Sequence, residues 1–275
     1  MRRSVARAGL AIILVALILG GTVLAGRWMR IQLRDHERFR FAFADIECPA
    51  PPGVDRSEFL SEIQYTGNFA DHLSTLDRDL PERLTSALRK HGWVEAVEAC
   101  EIHSGNRVSV RLRFRTPVLV VQCTDVSKKP ATRVVDGNGI VLPRTVSADG
   151  LPRLAGQWKP PQATGIAWGE PAVESAARVA AVIHPHQQSL RLMWLRIAGG
   201  DIRLFRGETD PGPTVIWGHA PNEETDDEAT ADQKVKQLLE YHSRHGDLAW
   251  PSPKVIHDVR RVVHPPKDTA KSTRS

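Results

Sequence analysis

Residues 93–118 read WVEAVEACEIHSGNRVSVRLRFRTPV, and their pattern decides the fold. In the second half, Val108, Val110, Leu112 and Phe114 alternate with Ser109, Arg111, Arg113 and Arg115. A period of two puts successive side chains on opposite faces of a pleated strand, so this stretch is expected as a half-buried strand. His103-Ser104-Gly105-Asn106 supplies turn chemistry just before it. Residues 94–102 have the length and composition of its partner. Together they predict a β-hairpin with one face on a core. The other face carries a stripe of three arginines, Arg111, Arg113 and Arg115, which are candidate partner contacts.

Working outward from the hairpin, residues 41–48 (FAFADIEC) are expected as a strand, stopped by Pro49-Ala50-Pro51-Pro52-Gly53. A helix opens at Asp55, three residues before Glu58 as in a capping box, with Val54 and Phe59 placed as a hydrophobic staple. It ends near Gly67. A second helix begins at Leu80-Pro81, buries Leu84 and Leu88 along with Leu80, and stops at Gly92. The expected order over residues 41–114 is β-α-α-β-β.

Upstream, residues 1–7 carry Arg2, Arg3 and Arg7, and residues 8–26 run 19 positions without a charge. At 1.5 Å per residue such a helix is roughly 28 Å long, close to the hydrocarbon thickness of a bilayer. The sequence therefore predicts a transmembrane helix over 8–26 in contact with membrane lipid. Residues 1–7 would be a cytoplasmic tail, with the remainder outside the cytoplasm. A cleaved signal peptide is the alternative, with Val23-Leu24-Ala25 as a cleavage site. In the juxtamembrane segment 27–40, Arg27, Arg30, Arg34 and Arg38 fall at helical spacing on one face, suited to anionic headgroups or to simple solvation.

The net charge of +5 is mild and the Lys and Arg residues are spread along the 275-residue chain, which points to a solvated surface rather than a nucleic-acid site. Cys48, Cys100 and Cys123 follow no metal-ligand spacing and allow one disulfide at most. His242 and His245 share a helix face near Glu240, but the sequence places no third ligand; His184 and His186 sit at a helix end. No nucleophile elbow, phosphate loop or zinc-protease motif occurs. Neither an enzyme nor a cofactor or metal site is expected.

The second half predicts further elements. Val134 to Val141 (VVDGNGIV) has hairpin chemistry, and residues 171–183 form an alanine-rich helix buried through Val173, Ala176, Ala177 and Ala180. Residues 190–197 and 201–205 read as a hairpin about Gly199-Gly200, followed by a strand over 214–218. An acidic loop, residues 223–228, leads to a helix over 232–244 with Val235, Leu238 and Leu239 inward. Residues 265–275 are polar and expected to be disordered.

A β-α-α-β-β unit after a single hydrophobic segment resembles a POTRA domain. The passage around Trp93-Val94 and Arg115-Thr116-Pro117-Val118 resembles the FtsQ/DivIB family of bacterial cell-division proteins, with Phe114 where that family has an acidic residue. Val134-Val135-Asp136-Gly137-Asn138-Gly139-Ile140-Val141 is similar to the family's VD-x-x-G-x-V hairpin, and Leu151 to Gly156 to its LP-x-L-x-G. Val255 to Arg260 is similar to its late IDLRY strand, with Asp258 and Arg260 matching, His257 in place of an apolar residue and Arg261 in place of the aromatic one.

The resemblance implies an α+β fold: a transmembrane helix, a POTRA-like domain over 41–116, and a mixed α/β domain over 117–264 dominated by antiparallel strands. It implies a single-pass inner-membrane scaffold that binds other single-span division proteins outside the cytoplasm. The partner would pair with the closing strand, here Val259, Arg260, Arg261, Val262 and Val263. A POTRA-bearing export or outer-membrane assembly factor is the alternative, and a secreted enzyme a more remote one.

Overall fold

The computed structural model describes residues 19–26, 28, 37–124, 128–208, 212–249, 251–252 and 254–261. Residues 19–26 are helical (α1). Among the described residues no helix is long and apolar enough to cross a membrane, and the expected transmembrane helix over 8–26 is corrected accordingly. Residues 8–18, Arg27, Arg30, Arg34, Val262, Val263 and 265–275 lie outside the described residues. Arg38 sits in a 3₁₀ turn, Glu37–Phe39.

The chain divides into two compact units between Phe114 and Arg115. In the first, β3 (Val94–His103) and β4 (Arg107–Phe114) form the expected antiparallel hairpin. Val108 and Val110 are buried and Leu112 and Phe114 pack on the same core, while Arg111 and Arg113 face out. The connection turns through Gly105 and Asn106, both left-handed.

Two helices cover the apolar face. The first, α2 (Arg56–Gly67), is capped by Asp55, whose carboxylate accepts from the Ser57 amide at 2.7 Å. The second, α3 (Leu80–Lys90), buries Leu80, Leu84 and Leu88.

The expected strand over 41–48 is broken. Only β1 (Arg40–Ala42) is extended, a 3₁₀ turn follows over Phe43–Asp45, and Glu47 makes a lone parallel bridge to Ser109. The turn lets Phe43, Ile46 and Cys48 enter one core, which a straight strand with slipped periodicity would not allow. β1 instead pairs with β2 (His72–Ser74), an extra strand between the helices.

The second unit is a seven-stranded sheet. Its strands are β5 (Leu119–Thr124), β6 (Pro130–Val135), β7 (Arg153–Trp158), β8 (Trp194–Ala198), β9 (Asp201–Phe205), β10 (Thr214–Gly218) and β11 (Ile256–Asp258). Their spatial order is β11-β10-β9-β8-β7-β5-β6. One face packs on helices α4 (Pro171–Ile183), α5 (Gln187–Leu190) and α6 (Ala231–His245).

Antiparallel strands do not dominate this sheet. The β5–β7, β7–β8 and β10–β11 pairs are parallel, and the other three antiparallel. The chain between β7 and β8, and between β10 and β11, is spent on helices that return it to the same end of the sheet, as a parallel crossover requires. Leu190 and Leu192, expected in a strand, instead fill the core from α5 and the loop after it.

Arg115 does not belong to the exposed stripe. It opens the second unit, where its guanidinium lies 2.7 Å from the Asp136 carboxylate, both largely buried. Asp136 also accepts from the amides of Asn138 and Ile140 at 2.9 Å, which is what the aspartate of the VD-x-x-G hairpin does here. Arg111 and Arg113 remain exposed and pair with Glu101 and with Glu95 and Glu98. Arg115→Ala leaves a buried carboxylate unpaired and is expected to cost about 3–5 kcal/mol in urea unfolding. Arg111→Ala or Arg113→Ala changes stability by about 0.5 kcal/mol or less. Equal losses at all three positions would contradict this division of roles.

Candidate functional site

An open sheet edge offers backbone N–H and C=O groups to a strand from outside. At β6, Pro130 has no N–H to offer, and the Val134 carbonyl is already taken by the Leu142 amide at 2.9 Å. At β3, two register shifts, at Val94/Ala96 and Val97/Ala99, kink the strand.

At the other end of the seven-stranded sheet, β11 runs parallel to β10 without a register shift. The Thr214 amide donates to the Val255 carbonyl at 2.9 Å and the Val259 amide to the Ile216 carbonyl at 3.2 Å. Alternation then turns the backbone groups of Ile256 and Asp258 outward. The Ile256 side chain is 64% exposed on the same strand.

The edge ends at Asp258. The next outward carbonyl, that of Arg260, accepts from the Ala229 amide at 2.7 Å, and the Arg261 carbonyl accepts from the Gln237 side chain at 3.1 Å. Val259 is buried. The Arg260 guanidinium clasps Asp258 through two hydrogen bonds, at 2.9 and 2.7 Å, and reaches Asp201 at 2.9 Å. The hydrogen bonds from Arg260 hold the Asp258 carboxyl below the usual aspartate range. Of the closing-strand residues expected to meet a partner, Val259, Arg260 and Arg261 are therefore engaged within the fold, and the open backbone lies just before them, at Ile256 and Asp258.

Behind the edge is a buried charge cluster. Lys234 of α6 is fully buried, and its ammonium donates to Glu228 Oε1 at 2.7 Å and to the His219 carbonyl at 3.3 Å, 5.2 Å from the Trp217 ring. Glu228 also accepts from the His219 amide at 2.9 Å and meets His219 Nδ1 at 2.7 Å. Burial pushes the Glu228 carboxyl up, but the hydrogen bonds from Lys234 and His219 outweigh it and hold the group below its ordinary value of 4.5.

Gly218 makes room for the cluster. Its φ is +87°, and a Cβ there would run into Glu228 Oε1 and lie 2.8 Å from Arg260 Cγ. The cluster fixes Glu228, hence Ala229, hence the end of the edge. Thr230 and Gln233 complete the hold with a reciprocal capping box on α6.

The remaining sequence candidates are not gathered at one site. Tyr241 packs between His245 and His257, with ring centroids 4.5 Å from each. Among the described residues no group of three or more His, Cys, Asp or Glu is placed to hold a metal ion. No disulfide joins Cys48, Cys100 and Cys123, and burial pushes the thiol of Cys48 up to about 11. No protein-family model matches the chain, and no curated protein matches it either.

Glu228→Gln strands the buried Lys234 charge and is expected to cost about 3–5 kcal/mol. Because the folded Glu228 carboxyl titrates below its unfolded value, its contribution is complete above that value and disappears as pH falls through the folded one. Urea unfolding of the parent should thus weaken below about pH 4.5, and the Glu228→Gln variant should show a flatter dependence there. Parallel pH curves for the two proteins would remove Glu228 from this role.

Proposed function

We propose that this chain is a non-catalytic scaffold of the bacterial division machinery, as the FtsQ/DivIB resemblance implies, acting outside the cytoplasm at the inner membrane. It captures other division proteins by adding a strand from the partner to β11. The observation that carries this reading is the contrast among the β3, β6 and β11 edges. The β6 edge is blunted by Pro130 and Leu142, the β3 edge is kinked, and β11 keeps outward backbone groups beside an exposed isoleucine. Native sheets normally protect an edge of that kind.

The geometry sets the length of the contact. Main-chain pairing is confined to Ile256 and Asp258 before Ala229 closes the edge. Affinity must then come from side-chain contacts as well as backbone pairing, with Ile256 offering an apolar anchor and Asp258 and Arg260 a charged rim.

Ile256→Pro tests this reading. The Ile256 amide faces outward, so its loss spares the bonds to β10 while removing a donor from the edge. Capture of division proteins by in-cell crosslinking should fall about tenfold. The melting temperature of the same variant should stay within about 4 °C of the parent. Undiminished capture by a variant that melts like the parent would refute strand addition at β11.

A further inference from the structure

On the sheet face opposite the helices, β5 and β6 are covered where Val120, Val134 and Leu142 are buried with Leu151 packed on them, and β8 and β9 lie beyond that cluster. Leu195 and Ile197 on β8, and Ile202 and Leu204 on β9, point into the helix-covered core. Their strand neighbours Trp194, Arg196, Arg203 and Phe205 therefore stand on the opposite face. The register sets Trp194 directly across from Phe205 and Arg196 directly across from Arg203, with Arg153 of β7 beside Trp194.

Two like charges directly opposed across a ladder destabilise a sheet unless something neutralises them. Three other arginines of this unit are neutralised: Arg206 pairs with Asp247, Arg178 with Glu223 and Arg260 with Asp201. Among the described residues no carboxylate pairs with Arg153, Arg196 or Arg203. The Arg203 Nε is buried without a hydrogen-bond partner. The Arg196 guanidinium carbon lies 5.4 Å from the centre of the Phe205 ring, which holds the fork against the sheet. Beside it opens a cavity of about 280 Å³ lined by Trp194, Arg196, Phe205 and Glu208 among others.

We propose that this face docks an acidic segment of a partner protein, its carboxylates seated on Arg196 and Arg203 and its apolar side chains on Trp194 and Phe205. Guanidinium forks match carboxylates through paired hydrogen bonds, and the flanking aromatic pair supplies area that a peptide can cover. An anionic lipid surface fits less well. Such surfaces are met by dense clusters of basic residues, whereas Asp201 and Asp258 share this face and Glu208 lines the cavity. The surface uses side chains on β7, β8 and β9 and does not depend on strand addition at β11.

The test uses the full chain and a fluorescently labelled peptide of alternating glutamate and leucine, beside its glutamine counterpart and vesicles of phosphatidylglycerol and phosphatidylcholine. The glutamate peptide should bind, and the Arg196→Gln, Arg203→Gln double variant should lose about tenfold or more of that affinity. The corresponding double lysine variant, which keeps the charge, should retain most of it. Lys236→Gln with Arg244→Gln, two exposed cations on α6, should bind like the parent. Because the glutamine pair relieves repulsion, it should melt no lower than the parent. The proposal is overturned by equal binding of the glutamine peptide or by full affinity in the glutamine double variant. It is also overturned by vesicle binding without peptide binding, or by a lowered melting temperature, which would assign the arginines to the fold.

Discussion

A lysine ammonium with no solvent contact governs the architecture around the candidate edge. Lys234 is carried into the interior by α6, and removing its charge from water costs several kcal/mol unless the site supplies partners. The Glu228 carboxylate, the His219 carbonyl and the face of Trp217 supply them, drawn from the acidic loop and from β10 with the residue that follows it. Each partner fixes a piece of backbone. Glu228 fixes Ala229, whose amide closes the β11 edge at Arg260, and the crowding around Glu228 and Arg260 leaves room only for glycine at position 218.

The consequence is an edge whose length is set from behind. The parallel crossover through α6 brings β11 to the rim of the sheet, and the loop that feeds α6 returns to cap it. Ile256 and Asp258 are left outward between these two constraints. A short, exposed, regular edge is an uncommon surface for a native sheet to leave uncovered, and it is the feature on which the proposed scaffold role rests.

Charge is handled differently in the two units. In the first, Arg111 and Arg113 project into solvent and meet the glutamates of β3, where screening makes such pairs weak. In the second, the cations of Lys234 and Arg115 are enclosed and matched by single carboxylates. Only Arg196 and Arg203 stand opposed without a counter-charge among the described residues, which is why that face invites an acidic partner.

Local chemistry made much of the secondary structure legible. The alternation from Val108 to Phe114, the Asp55 cap, the Leu80-Leu84-Leu88 stripe and the Gly199-Gly200 turn each act over a few residues, so sequence alone determined the β3–β4 hairpin, α2, α3 and the β8–β9 turn. The period-two pattern ran one residue too far at Arg115, because alternation cannot register where a strand leaves its unit. The turn over Phe43–Asp45 and the short β1–β2 pair were hidden for a related reason: both follow from three apolar residues competing for one core.

The candidate site was only partly visible. The acidic run before α6 and the place of Lys234 beside the buried stripe of that helix were present in the sequence, but nothing local pairs Lys234 with Glu228 rather than with water. Which edge is open, where it ends and which arginines lack a partner depend on the order of strands and on loops that return from distant positions. Sequence determined which segments could be strands and helices, because propensity and periodicity are local. Tertiary structure decided which backbone groups and charges are left over, because that depends on every contact the other residues have already made.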